Sequence, residues 1–116
     1  GMAVVAATVA SGKMPTPTLL TGSKTETDTP DPKPVDAKTM TAMRAMMQEV
    51  TARTPALAAY RDIRGKTGTA QFGDGTHAHG WYVAFRGDMA FALLITDAGA
   101  SAKAVAAATR FLRALG

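Results

Sequence analysis

Two residues, Gly87-Asp88, separate two segments that each have the pattern of a β-strand. Residues 89–96 are apolar at every position but the last, which predicts a strand that is covered on both faces and lies inside a sheet. Residues 80–86 alternate, with large apolar side chains on one face at Trp81, Val83 and Phe85. Because a two-residue connection that contains glycine is typical of a hairpin, the sequence predicts an antiparallel pair of strands here.

Another strand and three helices are predicted around this hairpin. Residues 64–72 favour a strand, and the turn residues 73–76 lead from it towards the hairpin. Small apolar residues over 2–11 predict a helix buried on several faces, and Ser11-Gly12 ends it. A closing helix is predicted over 101–115, with its buried stripe at Val105, Ala108, Leu112 and Leu115.

The second helix is predicted over 37–52, with Asp36 as its N-cap. Its apolar residues recur at helical spacing and are more typical of a core than of a binding surface: Met40, Met43, Met47 and Val50. The fold class that follows is α+β, an antiparallel sheet of three strands flanked by helices. The chain of 116 residues is expected to form a single domain.

Residues 23–35 differ from the rest of the chain. They begin with alternating polar residues and continue with proline at every second position from Pro30 to Pro34. Such a segment cannot be helical and has little to bury, so it predicts a polar excursion on the surface. The net charge of +4 is spread over scattered lysines and arginines, a pattern that argues against nucleic-acid binding.

Three short motifs are better explained without a function. Gly65-Lys66-Thr67 lacks the earlier glycine of a phosphate-binding loop and precedes a strand rather than a helix. Arg86-Gly87-Asp88 matches an integrin-binding tripeptide, but it is already accounted for by the hairpin turn. His77 and His79 are expected in a polar loop without a third ligand, so no metal site is predicted. The chain has no cysteine, which excludes disulfides and thiolate ligands.

Lys66-Thr67-Gly68-Thr69 remains as the candidate site. On a strand, Lys66 and Gly68 share one face, whereas Thr67 and Thr69 share the other. The lysine offers a cation to an anionic substrate or a reacting hydroxyl, and the glycine lets another backbone or helix approach closely. The threonine hydroxyls can hydrogen-bond a carboxylate, and an edge strand can bind an extended peptide. These features describe a surface for an anionic peptide.

This pattern resembles the Lys-Thr-Gly motif of serine transpeptidases and β-lactamases. The order that follows it, a short loop, Gly80-Trp81-Tyr82-Val83-Ala84-Phe85, an apolar strand and a final helix, is similar to that of class B penicillin-binding proteins. Residues 2–20 resemble the helix and Pro-rich exit that follow the second motif of those enzymes. The resemblance implies an incomplete piece of a penicillin-binding transpeptidase, or β-lactamase-like, fold.

The resemblance also implies an activity for the parent protein. It would be a bacterial D,D-transpeptidase that joins peptidoglycan stem peptides through an acyl-serine intermediate and is acylated by β-lactams. Lys66 would act electrostatically, and the Thr69 backbone N–H would form one arm of the oxyanion hole. Lys66, Thr67, Gly68 and Thr69 would bind substrate, without a cofactor or a metal ion. The parent would be membrane-anchored, with this domain on the extracytoplasmic face of the bacterial cell membrane.

The family's Ser-x-x-Lys and Ser-x-Asn motifs do not occur in the sequence. None of Ser11, Ser23 and Ser101 is followed by the required lysine, and the chain contains no asparagine. We therefore expect the nucleophile to lie upstream, the isolated chain to be inactive, and the exposed edge of strand 89–96 to self-associate. A D-alanyl carboxypeptidase, a class D β-lactamase, a β-lactam sensor domain and a non-catalytic module with the same fold remain as alternatives.

Overall fold

The computed structural model describes residues 1–26, 28 and 30–116, which form three helices and three strands. Thr27 and Thr29, within the predicted polar excursion, lie outside the described residues. The helices are α1 (Met2–Ser11), α2 (Ala37–Arg53) and α3 (Ala102–Leu115). The strands are β1 (Arg64–Phe72), β2 (His77–Arg86) and β3 (Met89–Ile95). None of the helices in this part of the chain is long and apolar enough to cross a membrane.

The three strands form one antiparallel sheet in the order β1-β2-β3, which confirms the predicted α+β fold class. Gly87 begins the β2–β3 turn with a φ of 57°, a left-handed conformation that glycine adopts without steric cost. The expectation that 89–96 lies inside a sheet is wrong for the described residues. Both other strands lie on the same side of β3, so β3 occupies one edge and β1 the other.

Helices cover both faces of the sheet, and each face has its own core. Tyr82, Ala84 and Phe91 point towards α3 and pack with its buried residues, and Leu57 and Ile63 complete this cluster. On the opposite face, Phe85 packs with residues of α1 and α2, namely Val9, Met40 and Met47. The alternation of side chains along β2 thus divides the molecule into an α3 face and an α1–α2 face.

α1 is less buried than the sequence predicts. Ala6 and Val9 are its buried residues, whereas the Val5 side chain is 50% exposed. The reason is that α1 packs on the sheet and on α2 through one side, and its remaining surface is exposed in the described structure. The helix ends as predicted at Gly12, with a φ of 81°, and Arg44 Nε donates a hydrogen bond of 2.8 Å to the Val9 carbonyl.

α2 begins at the predicted cap. Asp36 Oδ2 accepts hydrogen bonds of 2.8 Å from both the backbone N–H and the hydroxyl of Thr39. The backbone donor, followed by the hydroxyl, lowers the pKa of Asp36. Met40 and Met47 are buried as the methionine stripe predicts, because they face the sheet.

Gly65 and Gly80 are required as glycines, because neighbouring atoms leave no room for a Cβ at either position. A Cβ on Gly65 would collide with Tyr82 Oη, and one on Gly80 would collide with the Ala100 carbonyl oxygen. Both positions are on the α3 face, where the obstructing atoms belong to the buried Tyr82 side chain and to the backbone at Ala100. These glycines let β1 pack on Tyr82 and let the chain entering α3 cross β2 closely.

Candidate functional site

The candidate motif lies on β1, at a free edge of the sheet. Lys66 pairs with Val83 and Gly68 with Trp81, so both project towards the α1–α2 face. Thr67 pairs with Tyr82 and Thr69 with Gly80, so their side chains project towards the α3 face. The two faces of the motif are therefore divided as the strand pattern predicts.

The register also gives the direction of the backbone groups. In an antiparallel pair the N–H and C=O groups of successive residues point alternately towards and away from the partner strand. The Gly65 N–H points away from β2, because it donates a hydrogen bond of 3.2 Å to Thr51 Oγ1. By the same alternation Thr67 and Thr69 direct their backbone groups to the open side of β1. The Thr69 N–H is thus available to a ligand at this edge.

Thr51 fixes the start of β1, a role that sequence reasoning missed. It is 3% exposed, and its hydroxyl donates to the Met47 carbonyl at 3.2 Å while accepting from Gly65. One hydroxyl therefore joins the last turns of α2 to β1, immediately before Lys66. A sequence signal existed, since Thr51 continues the buried stripe of Met40 and Met47 at helical spacing.

Lys66 is exposed and stands at the rim of a cavity between the sheet, α1 and α2. Its ammonium donates a hydrogen bond of 2.8 Å to the neighbouring Thr67 carbonyl. The cavity has a volume of about 430 Å³ and is largely apolar away from the motif. α1, α2 and β2 line it with Met2, Val5, Ala6, Val9, Met43, Met47, Trp81 and Val83. A cation at the rim of an apolar cleft suits a ligand with one anionic and one apolar part.

Gly68 differs from the glycines required by packing. A Cβ at this position would meet the Trp81 Cβ at 3.4 Å, an ordinary contact, and nothing closer. The described residues therefore do not require glycine here. Its small size leaves open space on the Lys66 side of the strand.

The cavity contains no serine among its described lining residues. Among the residues that line it, Thr67 and Thr69 carry hydroxyl groups, and both direct them towards the α3 face, away from the cavity. Ser11 lies at the end of α1, Ser23 in the loop that follows, and Ser101 directly before α3. None of these serines lines the cavity, so the described residues supply it with no serine nucleophile.

His77 and His79 lie in β2, and their predicted placement in a loop is wrong. The strand extends to His77 because Phe72 of β1 pairs with it. His77 Nδ1 lies 2.9 Å from Asp97 Oδ1, whereas His79 Nδ1 accepts the Asp97 backbone N–H at 3.0 Å. The described part of the chain has no group of three or more His, Asp or Glu side chains arranged to hold a metal ion.

Tyr82 packs against β1 on the α3 face, next to the residue that precedes Lys66. It is fully buried against Gly65, and burial raises the pKa of its phenol, which keeps it neutral. The Tyr82 side chain behind the motif is therefore buried and uncharged, whereas the Lys66 ammonium projects from the opposite face.

Comparison with known proteins places the chain in a family. Residues 1–115 match the penicillin binding protein transpeptidase domain. No match was found among curated proteins or among solved structures. The match covers all three helices and the whole sheet, including the edge strand that carries Lys66. The chain therefore belongs to the penicillin-binding protein transpeptidase domain family.

Proposed function

We propose that this chain forms the substrate-binding wall of a serine-type D,D-transpeptidase that cross-links peptidoglycan stem peptides. The observation that carries the proposal is the free edge of β1, where Lys66, Thr67 and Thr69 surround an open line of backbone groups. Family membership supplies the reaction class. An extended peptide that adds to this edge would form main-chain hydrogen bonds with Thr67 and Thr69.

The motif suits a substrate that ends in a carboxylate. The Lys66 ammonium stands on one side of the edge, and the hydroxyls of Thr67 and Thr69 stand on the other. A carboxylate at the edge would accept hydrogen bonds from these groups, which favours a terminal D-Ala-D-Ala over an internal peptide bond. β-Lactams, which carry a carboxylate beside the reactive amide, would bind in the same way.

The reaction would need a serine that the described residues do not bring to the cavity. Its hydroxyl oxygen would attack the penultimate D-Ala carbonyl, and the terminal D-Ala would leave as the amine. The amine of a second stem peptide would then attack the ester, which forms the cross-link and releases the serine. The Thr69 N–H would stabilise the oxyanion in both steps. We propose that the serine comes from an upstream Ser-x-x-Lys segment of a membrane-anchored parent, on the extracytoplasmic side.

Covalent labelling with fluorescent penicillin tests this proposal. The isolated chain should form no adduct that survives denaturation. The product of the reading frame extended upstream should form one, and Lys66→Ala in that product should slow acylation about 100-fold. Lys103→Ala, on an exposed position of α3, is the matched control and should acylate at the unchanged rate. An adduct on the isolated chain, or undiminished acylation of Lys66→Ala, would contradict the proposal.

The fate of the acyl-enzyme separates the alternatives. A transpeptidase should pass the acyl group to an added amine, whereas a carboxypeptidase or a β-lactamase should pass it to water. A sensor domain should hold the penicilloyl group without turnover, and a non-catalytic module should never acquire it. Mass spectrometry of the products with and without a D-amino acid acceptor distinguishes these outcomes.

A further inference from the structure

Two histidines of β2 bind Asp97, in the turn that leads from β3 to α3. The Asp97 backbone N–H donates a hydrogen bond of 3.0 Å to His79 Nδ1, and His77 Nδ1 lies 2.9 Å from Asp97 Oδ1. Asp97 has a φ of 47°, a left-handed conformation that is uncommon outside glycine. The Gly99 N–H also donates to the Ala78 carbonyl at 3.0 Å. The turn is therefore fastened to the start of β2 by backbone and side chain together.

The two imidazoles make their contacts in different protonation states. A backbone N–H can only donate, so His79 must accept it through an unprotonated Nδ1, as a neutral ring with its proton on Nε2. His77 must carry a proton on Nδ1 to donate to the Asp97 carboxylate, which a neutral or a charged ring can do. Protonation therefore removes the bond at His79 and strengthens the one at His77. Histidine side chains change charge between about pH 5 and 8, so the contacts respond to mild acid.

The groups around His79 determine what its charge would meet. The Phe72 ring of β1 stacks on the imidazole, with centroids 4.3 Å apart, and brings no charge. The titratable groups beside it are His77, which lies against the same ring, and Asp97, while the Asp74 carboxylate is engaged within its own turn. In the described part of the chain no lysine or arginine pairs with His79 or Asp97. A protonated ring would repel the Asp97 N–H and attract its carboxylate, so the turn could not keep its present backbone.

The turn lies behind the candidate site. It continues from Asp97 to Ala100, whose carbonyl lies so close to Gly80 that a Cβ there would collide with it. Gly80 stands directly opposite Thr69 in the sheet. The segment that His79 holds is thus the segment that packs on β2 behind Thr69.

We propose that His79 is a pH-sensitive positioning residue for Thr69. The neutral imidazole holds the turn against β2 and so keeps Gly80 and Thr69 in place, whereas the protonated imidazole releases the turn. The positioning is a property of the chain itself. Its consequence rests on the proposed function, in which the Thr69 N–H stabilises the oxyanion, and it is that acylation slows in mild acid.

Nitrogen-15 NMR of the isolated chain between about pH 8 and pH 5 tests the positioning. At the alkaline end His79 should be the Nε2–H tautomer. On acidification the protection of the Asp97 amide from hydrogen exchange should fall about fivefold, the effect of losing one hydrogen bond, and the Thr69 amide signal should shift with the same midpoint. A proton on His79 Nδ1 at the alkaline end, or an Asp97 amide that does not respond, would overturn the proposal.

Two asparagine variants identify the histidine responsible. In His79→Asn the side-chain oxygen takes the place of Nδ1 and accepts the Asp97 N–H at every pH, so both responses should disappear. His77→Asn is the matched control, because it removes the other imidazole of the same strand face, and both responses should persist. The opposite pattern would assign the effect to His77 and overturn the proposal. Far-UV circular dichroism identifies a variant that fails to fold, and the titration of the parent chain then decides alone.

The pH profile of acylation by penicillin tests the consequence in the upstream-extended protein. The rate of His79→Asn relative to the parent should rise at least about threefold between about pH 8 and pH 5, because the variant keeps its acceptor in acid. A constant ratio would show that the contact does not govern Thr69 during acylation. If neither protein is acylated at any pH, the proposed function fails, whereas the NMR titration still decides the positioning.

Discussion

The two edges of the sheet offer the same backbone groups but opposite side chains. The β1 edge carries a lysine, threonines and a glycine that the fold does not need, whereas the β3 edge is uncharged and apolar. A charged, open edge suits a short ligand that brings its own anion, and it repels a second copy of itself. An apolar edge without charges favours a partner of the same kind. The side chains, rather than the backbone, therefore distinguish the edge proposed for substrate from the apolar edge of β3.

The largest expected effect concerns the packing that holds the β1 edge in place. Gly65→Ala should lower the free energy of unfolding by about 3 kcal/mol, because the new methyl would collide with the buried Tyr82 ring and hydroxyl. Urea unfolding followed by circular dichroism measures the change. If Gly65→Ala is as stable as the parent chain, the β1 edge is not fixed by Tyr82.

A smaller loss is expected at the hydroxyl that joins α2 to β1. Thr51→Val keeps the shape of the side chain but leaves the buried Gly65 N–H without its acceptor, at a cost of about 1–3 kcal/mol. Hydrogen exchange of individual amides measures this loss separately at the β1 edge and at the β3 edge. Exchange should accelerate at the start of β1 and change little along β3. Uniform acceleration over both strands would mean that Thr51 stabilises the whole sheet rather than this edge.

Gly68→Ala should hardly alter stability, and any change should be a gain of up to about 1 kcal/mol, since glycine weakens a strand interior. It is the matched control for Gly65→Ala, with the same methyl added on the same strand but meeting only the Trp81 Cβ at an ordinary contact distance. In the upstream-extended protein, however, the methyl should reduce acylation by penicillin. A large loss of stability in the isolated chain would show that the fold, not the ligand, requires this glycine.

The smallest effect is expected at the turn that ends β1. The hydroxyl of Thr76 and then its backbone N–H lower the pKa of Asp74 below its ordinary value of 3.8. A carboxyl whose pKa is lowered on folding stabilises the protein above its unfolded pKa, and that stabilisation is lost as the pH falls through the folded pKa. The urea midpoint of the parent chain should therefore exceed that of Asp74→Ala at pH 7, and the two should converge below pH 3.8. A difference that persists unchanged in acid would contradict this assignment.

Local signals were sufficient to predict much of the fold. Gly12, Asp36 and the Gly87-Asp88 turn were each predicted from residue types whose backbone preferences are strong, and the structure places an end or a turn at each. The division of Lys66 and Thr67 between two faces followed from strand alternation alone. These predictions needed no knowledge of which elements contact one another.

Errors arose where a distant element decides the outcome. β2 extends to His77 because Phe72 pairs with it, a contact that the polar sequence around the histidines does not indicate. The exposure of Val5 depends on what lies over α1, which hydropathy cannot report. Thr51 and Gly65 are far apart in the chain, so their hydrogen bond required the structure. Only the different surroundings of Gly65 and Gly68 showed that one is required by the core and the other is not.

Residues 13–34 connect α1 to α2 as a loop, and a backbone hydrogen bond joins the residues at its two ends. The Val35 N–H donates to the Gly12 carbonyl at 2.7 Å, beside the contact between Arg44 and the end of α1. The two ends of the loop are thus held together independently of what lies between them. Each doubling of such a loop costs only about 0.6 kcal/mol of chain entropy. Sequence inserted between residues 13 and 34 should therefore leave α1, α2 and the Lys66 edge in place, so this loop can carry additional segments without disturbing the site.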